Sequence, residues 1–147
     1  MKRPGVKGAF VLRALIFGLC ILGSSTAVGD SRQLVRLPEM MQEHMLANMR
    51  DHLAAINEIL EDMAKGRLDA AADVAELRLG MSSLEIHGAS HMAPFMPEGM
   101  RSAGTEMHRA ASRFARKAQE GDALAAYGAL PAVTSACVAC HSAYRIR

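Results

Sequence analysis

Apolar side chains recur every three or four residues along most of the chain after residue 38, and this spacing is what most restricts its fold. The first such stretch lies between Pro38 and Gly66, and its large side chains are Met41, Met45, Met49, His52, Leu53, Ile56, Ile59, Leu60 and Met63. Residues at this spacing share one face of an amphipathic helix. Proline favours the first turn of a helix, and glycine favours the position after its end. The pattern therefore predicts one long helix between these two residues.

Three further stretches have the same period. They run from Leu68 to Ile86, from Pro97 to Gly121 and from Asp122 to Tyr144. The inward side chains of the second stretch are predicted to be Val74, Leu77, Met81 and Leu84. Pro131 should kink the last helix, because proline removes a backbone hydrogen bond. Four helices joined by short loops predict an all-α fold, an up-down-up-down four-helix bundle.

The N-terminal residues have the pattern of a secretory signal peptide. Four basic side chains precede the apolar run Ala14 to Gly23, which is followed by small residues. This run has half of the roughly 20 residues that a membrane span requires. We therefore expect cleavage after Ala27, loss of Cys20 with the leader, a periplasmic mature protein and no stable membrane insertion. Residues 28–37 are predicted to be a flexible lead-in, and residues 38–147 the folded domain.

The charge of the mature chain argues against a nucleic-acid partner. Residues 1–27 hold four of the 17 basic side chains and none of the 15 acidic ones, so their removal changes the net charge from +2 to −2. Nucleic-acid binding usually requires a basic face. We therefore expect no nucleic-acid partner.

The segment Cys137-Val138-Ala139-Cys140-His141 is the strongest chemical signal in the sequence. Two thiols at this spacing reach the two vinyl groups of a c-type haem, and the following histidine ligates the iron. The alternatives are a redox disulfide or half of a zinc site, but the mature chain has no second cysteine pair and no thioredoxin-like pattern around this one. The motif predicts one covalently bound haem c.

The segment CVACHSAYR at 137–145 resembles the end of the cytochrome c-prime family, in which an aromatic and a basic residue follow the histidine, as Tyr144 and Arg145 do here. The segment from Met49 to Ile56 is similar to the family segment across the open face of the haem. In the low-spin branch of that family a methionine of the first helix is the sixth ligand, so the resemblance implies that Met49 ligates the iron and that Arg145 lies beside the haem. Members of the family are often homodimers.

One position departs from the family pattern. Low-spin relatives often carry an arginine, near a haem propionate, four residues before the ligand methionine, whereas this chain has Met45 there. Arg36 and Arg50 are then the candidates for the propionates.

Helix lengths support a contact between Met49 and His141. Met49 lies 17 residues before Gly66, and His141 lies 19 residues after Asp122. At about 1.5 Å per residue, both are roughly 26 to 29 Å from the same end of the bundle. Met45, one turn earlier, is the competing ligand, and packing of both methionines in the core is the alternative.

The segment from His87 to Met100 is rich in histidine and methionine, and it also contains His91, Met92 and Met96. In an up-down bundle it lies at the haem end, where we expect a lid of soft apolar side chains. Thioether and imidazole groups also suit copper, so a copper site is the alternative. His44, His52 and His108 are expected to be surface or partly buried groups.

The predicted function is electron transport with a redox partner protein, since His/Met ligation raises the haem potential and blocks the iron. No arrangement of catalytic side chains is evident, so an enzyme is not expected. The alternatives are a five-coordinate haem protein that binds a small gas such as nitric oxide, and a copper-handling accessory protein.

Overall fold

The structure, a computed structural model, describes residues 29–147, and the predicted signal peptide lies outside the described residues. The described part is mostly helical, which confirms the all-α class. Its helices are α1 (Glu39–Ala64), α2 (Leu68–Val74), α3 (Ala89–Met92), α4 (Glu98–Gln119) and α5 (Ala123–Ala143). Two short strands, β1 (Gln33–Leu34) and β2 (Tyr144–Arg145), pair in parallel.

The ends of the three long helices follow the local signals in the sequence. Pro38 precedes α1 and Pro97 precedes α4, while Gly66 and Gly121 adopt left-handed φ angles of 71° and 81° after α1 and α4. Asp122 caps α5: its carboxylate accepts hydrogen bonds of 3.0 Å from the N–H groups of the second and third helical residues. These boundaries were predicted correctly, because each depends on a residue next to the helix end.

The prediction of the second helix is wrong beyond residue 79. The chain forms α2, then a π-helical turn (Ala75–Leu79), and it breaks at Gly80, where a Cβ would lie 2.7 Å from the carbonyl oxygen of Glu76. After the break the N–H of Met81 donates to Ser112 Oγ of α4 at 2.9 Å, and a short 3-10 turn follows.

The wide turn also changes which side chains face inward. A π-helical turn has more residues per turn than an α-helix, so the side chains within it point in other directions than an α-helix would give them. Leu77, predicted to be inward, is 62% exposed, whereas Leu79 is 1% exposed. Leu53 and Leu60 of α1 are also exposed rather than buried.

The predicted flexible lead-in contains an ordered strand instead. Gln33 and Leu34 of β1 pair with Tyr144 and Arg145 of β2, so the helix predicted to reach Tyr144 ends one residue earlier. The N–H of Val35 donates to the Arg145 carbonyl at 2.8 Å, and the Val35 side chain is 3% exposed. Burial of Val35 and this pairing attach the segment before α1 to the segment after α5.

The buried side chains form two clusters. The larger one joins α1, α2, α4 and α5 through alanines and a few large side chains, of which Phe114, Ile59, Leu79 and Val133 are fully buried. The smaller one contains Val35, Met45, Met92 and Met100, with Met41, Met49, Met96, Cys140 and Tyr144 packed against it. The smaller cluster therefore brings together the start of α1, the start of α4 and the end of α5.

Among the described residues, α5 is the one helix whose length and composition would allow it to cross a membrane. The helix runs through Pro131 without interruption. Much of its surface is exposed, including Leu124, Tyr127 and Val138.

Candidate cofactor site

A cavity of about 530 Å³ lies beside the methionine-rich cluster. Small-molecule and cofactor sites commonly enclose roughly 300–1,000 Å³. Its wall consists of residues of α1, of the segment from Leu84 to His108 and of the chain from Cys140 onwards, together with Arg32. Elements that are far apart in the sequence therefore line one space.

The cavity brings together most of the residues predicted to bind the cofactor. Met45 and Met49 line it from α1, Cys140 and His141 line it from α5, and Arg145 lines it from β2. Cys137, one turn before Cys140, is half-buried and packs against the larger core cluster. Side chains from α1 and α5 thus face the same space, as the helix lengths suggested.

Both cysteines of the motif are free thiols. Burial raises the pKa of Cys137 and of Cys140 above the ordinary value, and the neighbouring Cys137 raises that of Cys140 further. Both side chains are therefore protonated at neutral pH. Reduced thiols are the form that attachment of a c-type haem requires.

The segment from His87 to Met100 contributes to this same cavity rather than to a separate one. His87, Met92, Met96 and Met100 line it, whereas His91 is exposed and does not. Within residues 29–147, no group of three or more His, Cys, Asp or Glu side chains is placed to hold a metal ion. The thioether groups instead give the cavity soft apolar walls.

Three buried histidines form a cluster in the cavity wall that the sequence analysis did not predict. His52 of α1, His87 and His108 of α4 have ring centroids 4.7 to 5.9 Å apart. Ser83 Oγ lies 3.3 Å from His87 Nδ1 and 3.5 Å from His108 Nδ1. His52 and His108 were expected to be surface or partly buried groups, but they are buried, with 9% and 8% of their surface exposed. The one signal in the sequence was the position of His52 on the apolar face of the first predicted helix.

Backbone contacts fix the cluster in place. His108 Nδ1 lies 2.7 Å from the Leu79 carbonyl, which makes Nδ1 the protonated nitrogen of that ring. The His87 carbonyl accepts a hydrogen bond of 3.0 Å from Asn48 Nδ2 and lies 3.1 Å from His44 Nε2. These contacts orient the His108 ring and tie the backbone of His87 to α1.

Burial makes the cluster neutral. Desolvation is the main reason that the pKa of His52 falls to about 4, and the nearby rings of His87 and His108 lower it further. Burial also lowers the pKa values of His87 and His108. Asp51 acts in the opposite direction on His52 and His87, but burial outweighs it. The cluster thus presents uncharged imidazoles to the cavity at neutral pH.

The charged side chains that line the cavity are all arginines. They are Arg32, Arg101, Arg145 and Arg147, and no Asp or Glu of the described chain lines the cavity. Arg36 and Arg50, the predicted partners of the propionates, are exposed and do not line it. Arg32 was missed because the segment before α1 was expected to be flexible. A cavity with apolar walls and several arginines suits a large apolar ligand with anionic groups.

Comparison of the chain with protein-family models, curated proteins and solved structures finds no match.

Proposed function

We propose that this protein is a periplasmic c-type cytochrome, similar to the low-spin cytochromes of the cytochrome c-prime family, that carries electrons to or from a redox partner protein. The observation that carries the proposal is the shared cavity: Cys140 and His141 of the attachment motif line it together with Met49 of α1. A bundle arrangement with a C-terminal haem is part of the proposal.

Each part of the cavity has a role in holding the cofactor. Cys137 and Cys140 supply the two thiols, and His141 supplies the proximal imidazole. The buried side chains of Met45, Met92 and Met100 supply an apolar surface for the macrocycle. The arginines supply positive charge for its two carboxylates. When bound, haem supplies a one-electron Fe(III)/Fe(II) couple.

Met49 is the better of the two candidate sixth ligands. Met45 is 8% exposed and is enclosed by the methionine-rich cluster, so it already has a packing role. Met49 is half-buried, packs at the edge of that cluster and lines the cavity one turn later on α1. A thioether at the iron raises the reduction potential and occupies the position where an external ligand would bind. Because no external ligand can then bind the iron, electron transfer is the function that remains for such a site.

The mature protein, purified from a host that attaches c-type haem, tests the proposal. We expect an intact mass equal to the chain from about Val28 plus one haem, retention of haem through acid-acetone extraction, and a low-spin spectrum of the oxidised protein. A Cys137→Ser/Cys140→Ser variant is the matched control, and it should lack covalent haem.

Each alternative function predicts a different result. A high-spin spectrum of the oxidised protein, with rapid binding of nitric oxide, would support a gas-binding function instead of electron transport. A protein without haem that binds copper stoichiometrically would favour the copper-handling function. A mass without haem from a competent host would refute the cytochrome assignment itself.

A further inference from the structure

We propose that Arg101 binds one of the two carboxylate groups of the haem and so positions the cofactor in the cavity. The inference rests on the proposed function, and it names a residue that neither the attachment motif nor the family resemblance indicates. In that resemblance the cation lies on the first helix, at the position where this chain has Met45.

The backbone of Arg101 lies in a helix at the cavity wall. Arg101 lies in the first turn of α4, and its N–H donates to the Pro97 carbonyl at 3.1 Å. The preceding residue, Met100, is 8% exposed and belongs to the methionine-rich cluster. On the next turn Gly104 and Thr105 also line the cavity. This face of α4 therefore forms one side of the space, with the Arg101 guanidinium at its start.

The guanidinium of Arg101 is not paired with an acidic side chain of the described chain. It makes no hydrogen bond or ion pair among residues 29–147, and no acidic side chain lines the cavity beside it. Two other arginines of the same helix are paired: Arg109 and Arg113 both contact Glu106. A planar guanidinium matches a carboxylate with two parallel hydrogen bonds. Arg101 is thus the cation of α4 that is available for an anion in the cavity.

The other cations of the cavity are placed differently. The guanidinium of Arg32 donates to the His141 carbonyl at 3.3 Å, so it supports the backbone of the proximal ligand. Arg145 lies in β2, directly after the helix that carries His141. Arg101 approaches from α4, an element that supplies neither the attachment cysteines nor the proposed axial ligands. Arg101 would therefore hold the cofactor from a different wall of the cavity than the attachment motif.

The test uses haem-loaded Arg101→Gln and Arg101→Lys proteins, with covalent haem verified by intact mass. The midpoint reduction potential is measured against pH at low ionic strength. Arg101→Gln should lower the potential, because a cation near the iron favours the ferrous state. It should also introduce a pH dependence between about pH 5 and 7, because a carboxylate that loses its cation is protonated at higher pH. Arg101→Lys, which keeps the charge, should restore most of the wild-type profile.

Arg109→Gln, on the outer face of the same helix, is the matched control and should leave the profile unchanged. If the potential of Arg101→Gln follows the wild-type pH profile, the inference is overturned. The same holds if the potential shifts in Arg32→Gln or Arg147→Gln but not in Arg101→Gln. Loss of haem from Arg101→Gln with rescue by lysine would support it, whereas loss from both variants would assign the residue to folding. If the wild-type protein carries no covalent haem, the proposed function itself fails, and that result is distinguishable from each of these.

Discussion

The Nε2 atom of His52 lies 3.5 Å from the Nδ1 atom of His87, which joins α1 to the turn after the broken second helix. Both rings belong to the cluster completed by His108, and all three line the cavity. Three adjacent imidazoles remain stable together only when they are uncharged, because each added proton would be buried beside the other two. The cluster therefore links stability to pH.

We expect the folded protein to lose stability as the pH falls from about 6.5 to about 4. In the unfolded chain His52 takes up a proton near its ordinary pKa of 6.5, whereas in the folded chain its pKa is about 4. The unfolded state thus binds more protons inside this window, and stability rises with pH until it levels off above 6.5. For His52 alone the effect is on the order of 3 kcal/mol.

Urea unfolding at a series of pH values measures this effect. His52→Gln should flatten the pH dependence above pH 4.5, and His91→Gln, which changes an exposed histidine, should not. A wild-type unfolding free energy that is constant between pH 4.5 and 7 would contradict the burial of neutral imidazoles.

The two candidate methionine ligands should respond differently to truncation. Met49→Ala should give high-spin ferric haem, faster binding of carbon monoxide and a lower reduction potential. Met45→Ala should keep the low-spin spectrum but reduce the free energy of unfolding by about 2–5 kcal/mol, because its side chain is buried in the methionine-rich cluster. Absorption spectra and urea unfolding of both variants distinguish the two roles. The reverse assignment would follow if only Met45→Ala changed the spin state.

Phe114 should be the most important single side chain of the larger cluster. It is the largest of the fully buried residues, and it lies on α4 between α2 and α5. Phe114→Ala should reduce the free energy of unfolding by roughly 3–5 kcal/mol. Phe95→Ala is the control: Phe95 is 45% exposed, so the loss should be below about 1 kcal/mol. Equal losses of unfolding free energy in the two variants would contradict the burial of Phe114 in the larger cluster.

The pairing of β1 with β2 should contribute measurable stability. Val35→Ser removes a buried apolar side chain and should cost about 1–3 kcal/mol. Gln33→Ser changes an exposed residue of β1, two positions before Val35, and should cost much less. Hydrogen exchange at the Val35 amide, which donates to the Arg145 carbonyl, reports the pairing directly. Rapid exchange of this amide in the wild-type protein would refute an ordered strand.

The sequence alone determines the features that depend on neighbouring residues. Pro38 and Gly66 bound α1, Asp122 caps α5, and the attachment motif is one contiguous segment, so all of these can be recognised locally. Helical rise also allowed the prediction that Met49 and His141 approach each other, because two long helices keep their register over many residues.

Only the tertiary structure decides which distant groups meet. The helical segment after residue 68 stops at Gly80, and the next residue, Met81, donates a hydrogen bond to Ser112 of α4. Strand β1 forms because it pairs with β2, which lies more than 100 residues later in the chain. The histidine cluster and the position of Arg101 arise in the same way, from side chains on separate elements. Periodicity shows which face of a helix is apolar, but the groups opposite that face are set by packing, since burial and hydrogen bonding depend on residues that are far away in the sequence.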